Sequence, residues 1–492
     1  MKTKKILYFL LLLGFLSGCD YLDIVPDNLP TLEMAFNNKS SAERFLFTCY
    51  SFVPEHGKIG TDPGMDVGDE VWYYSDNSAD YSNKTTFWIA KGMQNSNEPL
   101  VDYWNGTQWG KAMFVGIRDC NVFIENIDKV PDLSAYDKET WKAEVKVLKA
   151  FYHFWLMRMY GPIPIMKENI PVSADENEVR VVRDKIDDIV AYTVSLIDES
   201  VDYLPLNIQN EAAEMGRITR PAAKAIKAKI LAFAASPFFN GNLDYANFKN
   251  ADGEPFFNQV YDGEKWTKAA EACLDAIQCA EEAGHGLYEF VNMSSTKLSE
   301  ETVLSLTNRC KVTERWNKEL VWGCGQSGIR DLQVLCQPWL ESNYSSDDRY
   351  HNARNGTFAP TLAVAETFYT KNGVPMDEDR SYDYDNRYTT QVATEADKYY
   401  IQPGYTTAKL HFDREPRFYA TLGFDGSSWY GIGKMDDNDM WYLQAKAKQA
   451  SGKRGNTLYS ITGYFAKKLV LYQNAMVPAS IQIETYPFPI IR

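Results

Sequence analysis

Large apolar side chains recur every three or four residues between Trp141 and Met159, which places them on one face of a helix. Gly161 then provides a helix stop, and the prolines that follow prevent the helix from restarting. A face with this many aromatic rings needs packing partners on both flanks. We therefore expect this helix to lie inside an all-helical layer, with His153 as a structural core residue.

Further apolar stripes predict helices at 40–52, 107–130, 185–204, 222–235 and 266–283. Ser40 and Glu43 form a capping-box pattern at the start of the first, while Asp184 and Thr219 are the expected caps of two others. We expect two of these stripes to be buried. The stripe of helix 107–130 consists of Trp109, Met113, Ile117, Cys120, Ile124 and Ile127. The stripe of helix 266–283 consists of Trp266, Ala270, Cys273, Ile277 and Ala280.

Paired amphipathic helices in succession are typical of a helical-repeat solenoid, and their spacing is tetratricopeptide-like, although no repeat carries the full consensus. The segment 54–106 lacks periodicity, and after residue 286 helical periodicity becomes rare while Tyr, Trp, Gly, Asn and Asp dominate. We therefore predict a mainly α protein with a tetratricopeptide-like scaffold over 40–285, interrupted by a loop insertion at 54–106. A loop-rich region with a few short strands follows over 286–492.

The N-terminus has the pattern of an export signal, with three lysines before the apolar run Ile6–Phe15. This run is shorter than the about 20 apolar residues needed to span a bilayer. Leu16-Ser17-Gly18-Cys19 is similar to a bacterial lipobox, in which the cysteine is acylated. We predict a signal peptide over 1–18, lipidation of Cys19 and an extended tether over 19–39. The alternative is ordinary signal-peptidase cleavage with an incidental cysteine.

Composition excludes several other functions. The formal charge of −15, without a dense Lys/Arg cluster, argues against a nucleic-acid partner. The seven cysteines after Cys19 are scattered and lack a C-x-x-C motif, so we expect mostly buried free thiols. The five histidines fit no zinc spacing, and phosphate-loop, dinucleotide and nucleophile-elbow motifs are absent. We expect no cofactor, and the acids at 383–385 and 436–439 favour solvated loops over calcium sites.

Several segments, in this order, resemble the SusD/RagB family of outer-membrane nutrient-binding lipoproteins of Bacteroidetes-type bacteria. They are CDYLD (19–23), AEVKVLKAFYHFWLMRMYGPIPIM (143–166), GRITRPAAKAIKAKILAFAASPFFN (216–240), NKELVWG (317–323), the region 360–375, REPRFYATL (414–422) and PFPIIR (487–492). The resemblance implies a non-catalytic protein that captures glycan, or in some members peptide, as a lid on a SusC-like TonB-dependent β-barrel transporter. A segment like PFPIIR leads into a further helix in that family, so we expect the sequence to be incomplete at its C-terminus.

Ligand binding is expected in loops that combine aromatic rings with planar polar side chains. Rings stack on the C–H faces of sugars, and fixed polar groups set the orientation. The candidates are Asp69, Glu70, Trp72, Tyr73, Tyr74 and Trp88 in the first loop, Arg330, Gln337, Trp339 and Tyr344 in the second, and Trp429 in a third. For each single ring, burial in the scaffold or a transporter contact is the competing interpretation.

The leading hypothesis is a lipid-anchored protein of the outer membrane that faces the cell exterior and binds an oligosaccharide. The alternatives are a peptide-binding lid of the same fold and a purely structural repeat protein. A secreted glycoside hydrolase is the remaining hypothesis, because hydrolysis needs only two carboxylates at a fixed separation. However, the sequence distinguishes no particular pair of acids.

Overall fold

A computed structural model describes residues 32–73, 85–292, 297–325, 327–341, 353–455, 458–477 and 480–492. The fold is mainly helical with a few short strands, as predicted. The first part contains α1 (Leu32–Ala35), α2 (Lys39–Tyr50), α3 (Pro63–Asp66), α4 (Thr85–Ala90), α5 (Met113–Asn126), α6 (Ala135–Tyr160), α7 (Glu176–Val179), α8 (Ile186–Asp198), α9 (Glu211–Glu214), α10 (Arg220–Ala235) and α11 (Glu264–Glu282). The second part adds α12 (Glu300–Thr313), α13 (Ile329–Cys336), α14 (Leu362–Thr367) and α15 (Pro416–Thr421).

The strands form six antiparallel pairs within the described residues. They are β1 (Val71–Trp72) with β3 (Ala359–Pro360), β2 (Trp322–Cys324) with β12 (Phe488–Ile491), β4 (Thr390–Val392) with β5 (Thr406–Ala408), β6 (Leu422–Gly423) with β9 (Phe465–Ala466), β7 (Ser428–Trp429) with β8 (Trp441–Tyr442), and β10 (Ala475–Val477) with β11 (Ser480–Gln482). Such short pairs connect loop segments to one another and do not build a continuous sheet.

Helix α6 is the centre of the helical layer and contacts α2, α5, α8 and α10. Ser134 caps its start by accepting the N–H of Asp137, and Gly161 ends it with a φ of +69°. This conformation favours glycine, and a Cβ at Gly161 would also come within 3.2 Å of the Phe257 ring. The predicted C-terminal end of this helix at Gly161 is therefore confirmed. His153 is fully buried, as expected.

Two of the predicted helix caps are wrong. Asn38, not Ser40, caps α2, because its Oδ1 accepts the N–H of Ser41 at 2.9 Å. Asp184 does not cap α8; its carboxylate accepts the N–H of Ile165 at 2.7 Å and so fixes the preceding connection. Thr219 does cap α10, with its hydroxyl accepting the N–H of Ala222.

Helix α11 buries a different face from the one predicted, rotated by one residue, or about 100°, around the helix axis. Small residues of α11 pack against α10, and the stripe that includes Trp266 and Ile277 is exposed at 46 % and 55 % for these two residues. The buried positions are Ala269, Ala272, Ala276 and Cys279. Close approach of two helices favours small side chains, so the larger apolar stripe was a misleading signal here. Of the seven cysteines that the structure describes, Cys273 alone is exposed, because it belongs to this stripe.

Buried cations hold the loop-rich part together. The Arg309 guanidinium on α12 donates to the carbonyls of Tyr430 and Val470, both at 2.9 Å. The Lys467 ammonium donates to the carbonyls of Tyr419 and Ser428, at 2.7 and 2.9 Å. Burial lowers the pKa of Lys467 well below its ordinary value. These bonds satisfy backbone carbonyls of short elements and of the segments between them.

None of the helices in the described ranges is long and apolar enough to cross a membrane. The predicted signal peptide, Cys19 and most of the predicted tether lie outside those ranges. The end of the tether is helical where it is described, since α1 begins at Leu32 and Phe36 is buried in the helical layer.

Candidate functional site

The two predicted aromatic loops lie on one apolar cluster, which we call the loop core. The first loop contributes β1 and the start of α4, and the second contributes α13. Members of the loop core from these and later segments include Val71, Tyr73, Phe87, Ile329, Leu332, Leu335, Phe358, Trp429 and Phe465. The tertiary structure therefore brings together two segments that are about 250 residues apart in sequence.

The first loop is fixed through its backbone, which leaves its acids facing solvent. Thr361 donates its N–H to the carbonyl of Glu70 and its hydroxyl to the carbonyl of Asp69, both at 3.0 Å. Beside this contact, β1 pairs with β3, with Trp72 opposite Ala359. Asp69 and Glu70 are exposed, as their predicted role requires.

A buried carboxyl lies beneath this loop. Asp66 is 1 % exposed, and the Tyr73 hydroxyl donates to its Oδ2 at 3.3 Å. Burial raises the pKa of Asp66 to about 6. Asp62, one turn earlier, accepts N–H bonds from Gly57 and Gly64 at 2.8 and 3.0 Å. The loop is thus held by internal polar contacts before any ligand is present.

Four of the predicted binding residues are buried and offer no ring or amide to a ligand in this structure. Tyr73 packs edge-on against Phe87 and Phe358, and Trp429 is fully buried with the Arg309 guanidinium 5.2 Å from its ring centre. The other two are Gln337 and Trp339, which are 0 % and 8 % exposed. Each serves as a core residue, the competing interpretation for single rings.

Trp339 shows why such a residue looks functional in the sequence but is structural. Its indole N–H donates to the carbonyl of Ala353 at 3.1 Å, and its backbone N–H donates to Asn355 Oδ1 at 3.1 Å. The Ser451 hydroxyl donates to its carbonyl at 2.6 Å. The polar groups around Trp339 therefore bind the chain to itself.

Five predicted residues remain accessible. Trp72 is half-buried with its ring 4.9 Å from Phe87 in an edge-on contact, and Trp88 is 38 % exposed. Asp69, Glu70 and Arg330 are exposed, whereas Tyr74 and Tyr344 lie outside the described residues. The accessible set keeps the mixture of aromatic and charged groups in the first loop and one cation from the second.

Trp109 is a candidate that the sequence reasoning missed. It was expected on the buried face of a helix, but α5 begins only at Met113, and Trp109 is 74 % exposed. Its backbone φ is +70° and that of Gln108 is +48°, a strained conformation for residues other than glycine. The flanking Gly106 and Gly110 are the signal that could have predicted a turn at this point.

A hydrogen-bonded turn holds Trp109 in place. The N–H groups of Val101 and Asp102 donate to the carbonyls of Gln108 and Thr107, both at 3.1 Å. The Asp102 carboxylate accepts the N–H of Trp104 at 2.8 Å and the Thr107 hydroxyl at 2.9 Å. A large exposed ring on a braced, strained turn is typical of a binding residue and not of a packing residue.

A pocket of about 230 Å³ lies elsewhere, between α2, the segment 213–217 and β2, and none of the predicted binding residues lines it. Arg217 lines it and makes bonds of 2.6 and 3.1 Å to the buried Glu144 carboxylate. Burial raises the pKa of Glu144, and Arg217 opposes that rise. Arg217 is therefore held by this bidentate pair, which gives it a structural explanation.

No cluster of three or more metal-ligating side chains occurs among the residues that the structure describes. The two acidic segments considered for calcium make structural contacts. Asp437 accepts the N–H of Ser299 at 2.5 Å and the Thr302 hydroxyl at 2.6 Å, at the start of α12. Asp383 accepts from Asn386 at 3.0 Å and pairs with Lys409.

The described residues form a mainly helical body with a loop-rich part and a few short strands. Residues 20–231 match the family model described as "Starch-binding associating with outer membrane", and residues 330–492 match the model described as "SusD family". The chain belongs to the SusD family, a family of glycan-binding proteins.

Individual relatives agree with this assignment. The SusD-like protein P25 of Formosa agariphila is 22 % identical over 240 residues, and the match spans 47 % of this chain and only 43 % of that relative. The solved structure of BT4246 is 25 % identical with a TM-score of 0.75 and covers 92 % of this chain and 77 % of its own. A SusD-like protein (BF3747) of Bacteroides fragilis, 16 % identical with a TM-score of 0.62 over 93 % of this chain and 73 % of its own, shares the fold.

Proposed function

We propose that this protein binds oligosaccharides at the outer membrane and delivers them to a SusC-like TonB-dependent β-barrel transporter. The observation that carries the binding step is the pair of exposed tryptophans, Trp88 inside the loop insertion and Trp109 on the braced turn that follows it. Asp69 and Glu70 provide exposed acceptors on that insertion. An indole face takes the apolar C–H face of a sugar ring, and carboxylates accept bonds from its hydroxyl groups.

Rigidity favours binding at this surface. The turn that holds Trp109 and the pairing of β1 with β3 are made within the protein, so ligand binding does not have to order these segments. Half-buried Trp72, which contacts Phe87 beside Trp88, extends the aromatic surface. Arg330 is proposed as a cationic contact at the edge of the second loop.

The anchor and the location are part of the same proposal. The lipobox-like segment that ends at Cys19 supports acylation of this residue and tethering of the body to the outer membrane, facing outward. The family description, which names association with the outer membrane, agrees with this location. The family's role as binding proteins supports capture without hydrolysis.

Affinity electrophoresis in native gels that contain amylopectin, laminarin, xylan or galactomannan tests the binding step. We expect at least one glycan to retard the wild-type protein, and Trp88→Ala and Trp109→Ala to weaken its binding about 3- to 10-fold. Trp266→Ala is the matched control, because Trp266 is also an exposed tryptophan but lies on α11. It should bind like the wild type.

Other outcomes would point to the alternatives. Failure of every glycan to retard the protein, combined with tight binding of peptides, would replace the proposal with a peptide-binding lid. New reducing ends after incubation with polymer would indicate a glycoside hydrolase.

A further inference from the structure

A second exposed aromatic group lies in the loop-rich part, between α14 and β4. Tyr388 is 56 % exposed. The Arg387 guanidinium lies over its ring at 4.2 Å from the centre, and over the ring of Tyr384 at 3.8 Å. A ring backed on one side by a cation and open to solvent elsewhere is a flat, accessible surface.

Glu366 of α14 fixes this group. Its Oε1 accepts the Tyr388 hydroxyl at 2.5 Å and the Arg387 Nε–H at 2.8 Å. Arg387 also donates to the carbonyl of Tyr384 at 2.9 Å, and the N–H of Leu410 donates to the Arg387 carbonyl at 2.7 Å. The side chains are therefore ordered before a ligand arrives, which removes most of the entropy cost of ordering them on binding.

Charge remains available beside the ring. Burial tends to raise the pKa of Glu366, but the bonds from Arg387 and Tyr388 outweigh it and hold that pKa below its ordinary value. Glu366 therefore stays ionised at neutral pH, next to a permanently charged guanidinium. A carboxylate and a guanidinium flanking an open ring can accept from and donate to the hydroxyl groups of one sugar.

The position of Glu366 connects this group to the first surface. Helix α14 begins immediately after Thr361, the residue that bonds to the carbonyls of Asp69 and Glu70. Glu366 lies five residues further along, a rise of about 8 Å in a helix. The two surfaces are thus neighbours joined by one short rigid element.

We propose that Tyr388, with Arg387 and Glu366, is a second stacking platform for the oligosaccharide that binds at the Asp69–Trp72 loop. This inference rests on the proposed glycan-binding function and extends it. Neither the sequence pattern nor the first surface assigned a role to these three residues. A ligand long enough to reach both platforms gains affinity, because the second contact is made at high effective concentration.

The test repeats the affinity electrophoresis with Tyr388→Ala, Tyr388→Phe and the control Tyr136→Ala, whose residue is 68 % exposed on α6. For each glycan that retards the wild type, we expect Tyr388→Ala to bind about 3- to 10-fold more weakly. Tyr388→Phe keeps the ring and should stay within about threefold of the wild type, and Tyr136→Ala should match it. Circular dichroism and thermal melting confirm that each variant is folded.

The failures of the two proposals can be told apart. If a glycan retards the wild type and Tyr388→Ala equally, the second platform is overturned and the proposed function stands. If Tyr388→Phe loses as much affinity as Tyr388→Ala, stacking by this ring is overturned. If no glycan retards the wild type, both proposals fall.

Discussion

At the scale of single residues, buried basic side chains donate hydrogen bonds to backbone carbonyls that would bond to neighbouring strands in a fold with a continuous sheet. Arg414 is the clearest example, since its guanidinium donates to the carbonyls of Phe368, Ala365 and Leu410 at 2.6, 2.8 and 2.9 Å. Burial lowers the pKa of Arg414. A guanidinium has five donors in a planar fork, so one side chain can satisfy several backbone carbonyls.

Asp66 gives a pH-dependent prediction at the same scale. An unfolded aspartate titrates near 3.9, and burial raises the folded-state pKa of Asp66 to about 6. The folded protein therefore holds this proton more tightly, so the associated stability is present near pH 4 and is lost as the pH rises through about 6. The shift corresponds to ~3 kcal/mol.

Asp66→Asn should remove this dependence. In urea unfolding between pH 4 and 8, the wild type should lose ~3 kcal/mol relative to Asp66→Asn as the pH rises. Asp69→Asn, which changes an exposed carboxylate of the same loop, is the control. A stability difference between the wild type and Asp66→Asn that is constant across this range would contradict the buried-acid interpretation.

At the scale of elements, helix α11 has two apolar faces, and packing selects the one with smaller side chains. The buried face consists of alanines and Cys279 against α10, while Leu274 on the other side is 56 % exposed. Alanine lets two helix backbones approach closely along their full length. The exposed face therefore adds little to the stability of this pair.

Substitution on the buried face should destabilise the protein much more than substitution on the exposed face. Ala276→Leu forces a large side chain between α10 and α11 and should destabilise the protein by about 1–3 kcal/mol. Leu274→Ala should change the free energy of unfolding by less than about 0.5 kcal/mol. Chemical denaturation measures both values, and a larger loss from Leu274→Ala than from Ala276→Leu would show that the packing face is misassigned.

At the scale of the whole molecule, β12 connects the loop core to the helical layer. Phe488 packs over Gly57 and belongs to the edge of the loop core, whereas Ile490, two residues on, is buried with the helices. The strand pairs with β2, and Arg492 forms an ion pair with Glu319 at 3.3 Å. One four-residue strand thus couples two cores.

Phe488→Ala should weaken this coupling, because the ring that covers Gly57 and packs against the loop core is lost. We expect faster hydrogen exchange in β2 and α13, with little change in α8, and a loss of about 1–3 kcal/mol for this half-buried ring. Hydrogen-exchange mass spectrometry reports both regions in one experiment. Val392→Ala in β4, 55 % exposed, is the control, and an equal effect from it would argue against a special role for β12.

Local pattern alone determined much of the helical layer. The period of α6, its stop at Gly161 and the Thr219 cap before Pro221 are all confirmed, because they depend on residues within a few positions of each other. The motifs that resemble the SusD/RagB family also gave the family correctly.

Only the tertiary structure decided which rings are exposed. Trp429 is covered by Arg309, and Tyr73 by Phe358, partners that lie more than 100 residues away in the sequence. Conversely, Trp109 is exposed because of the geometry of its turn. Tyr388 is exposed because its hydroxyl bonds to Glu366, which holds the ring outward. Periodicity reports which residues share a face, but burial depends on what covers that face, and in a loop-rich region those partners are set by long-range contacts.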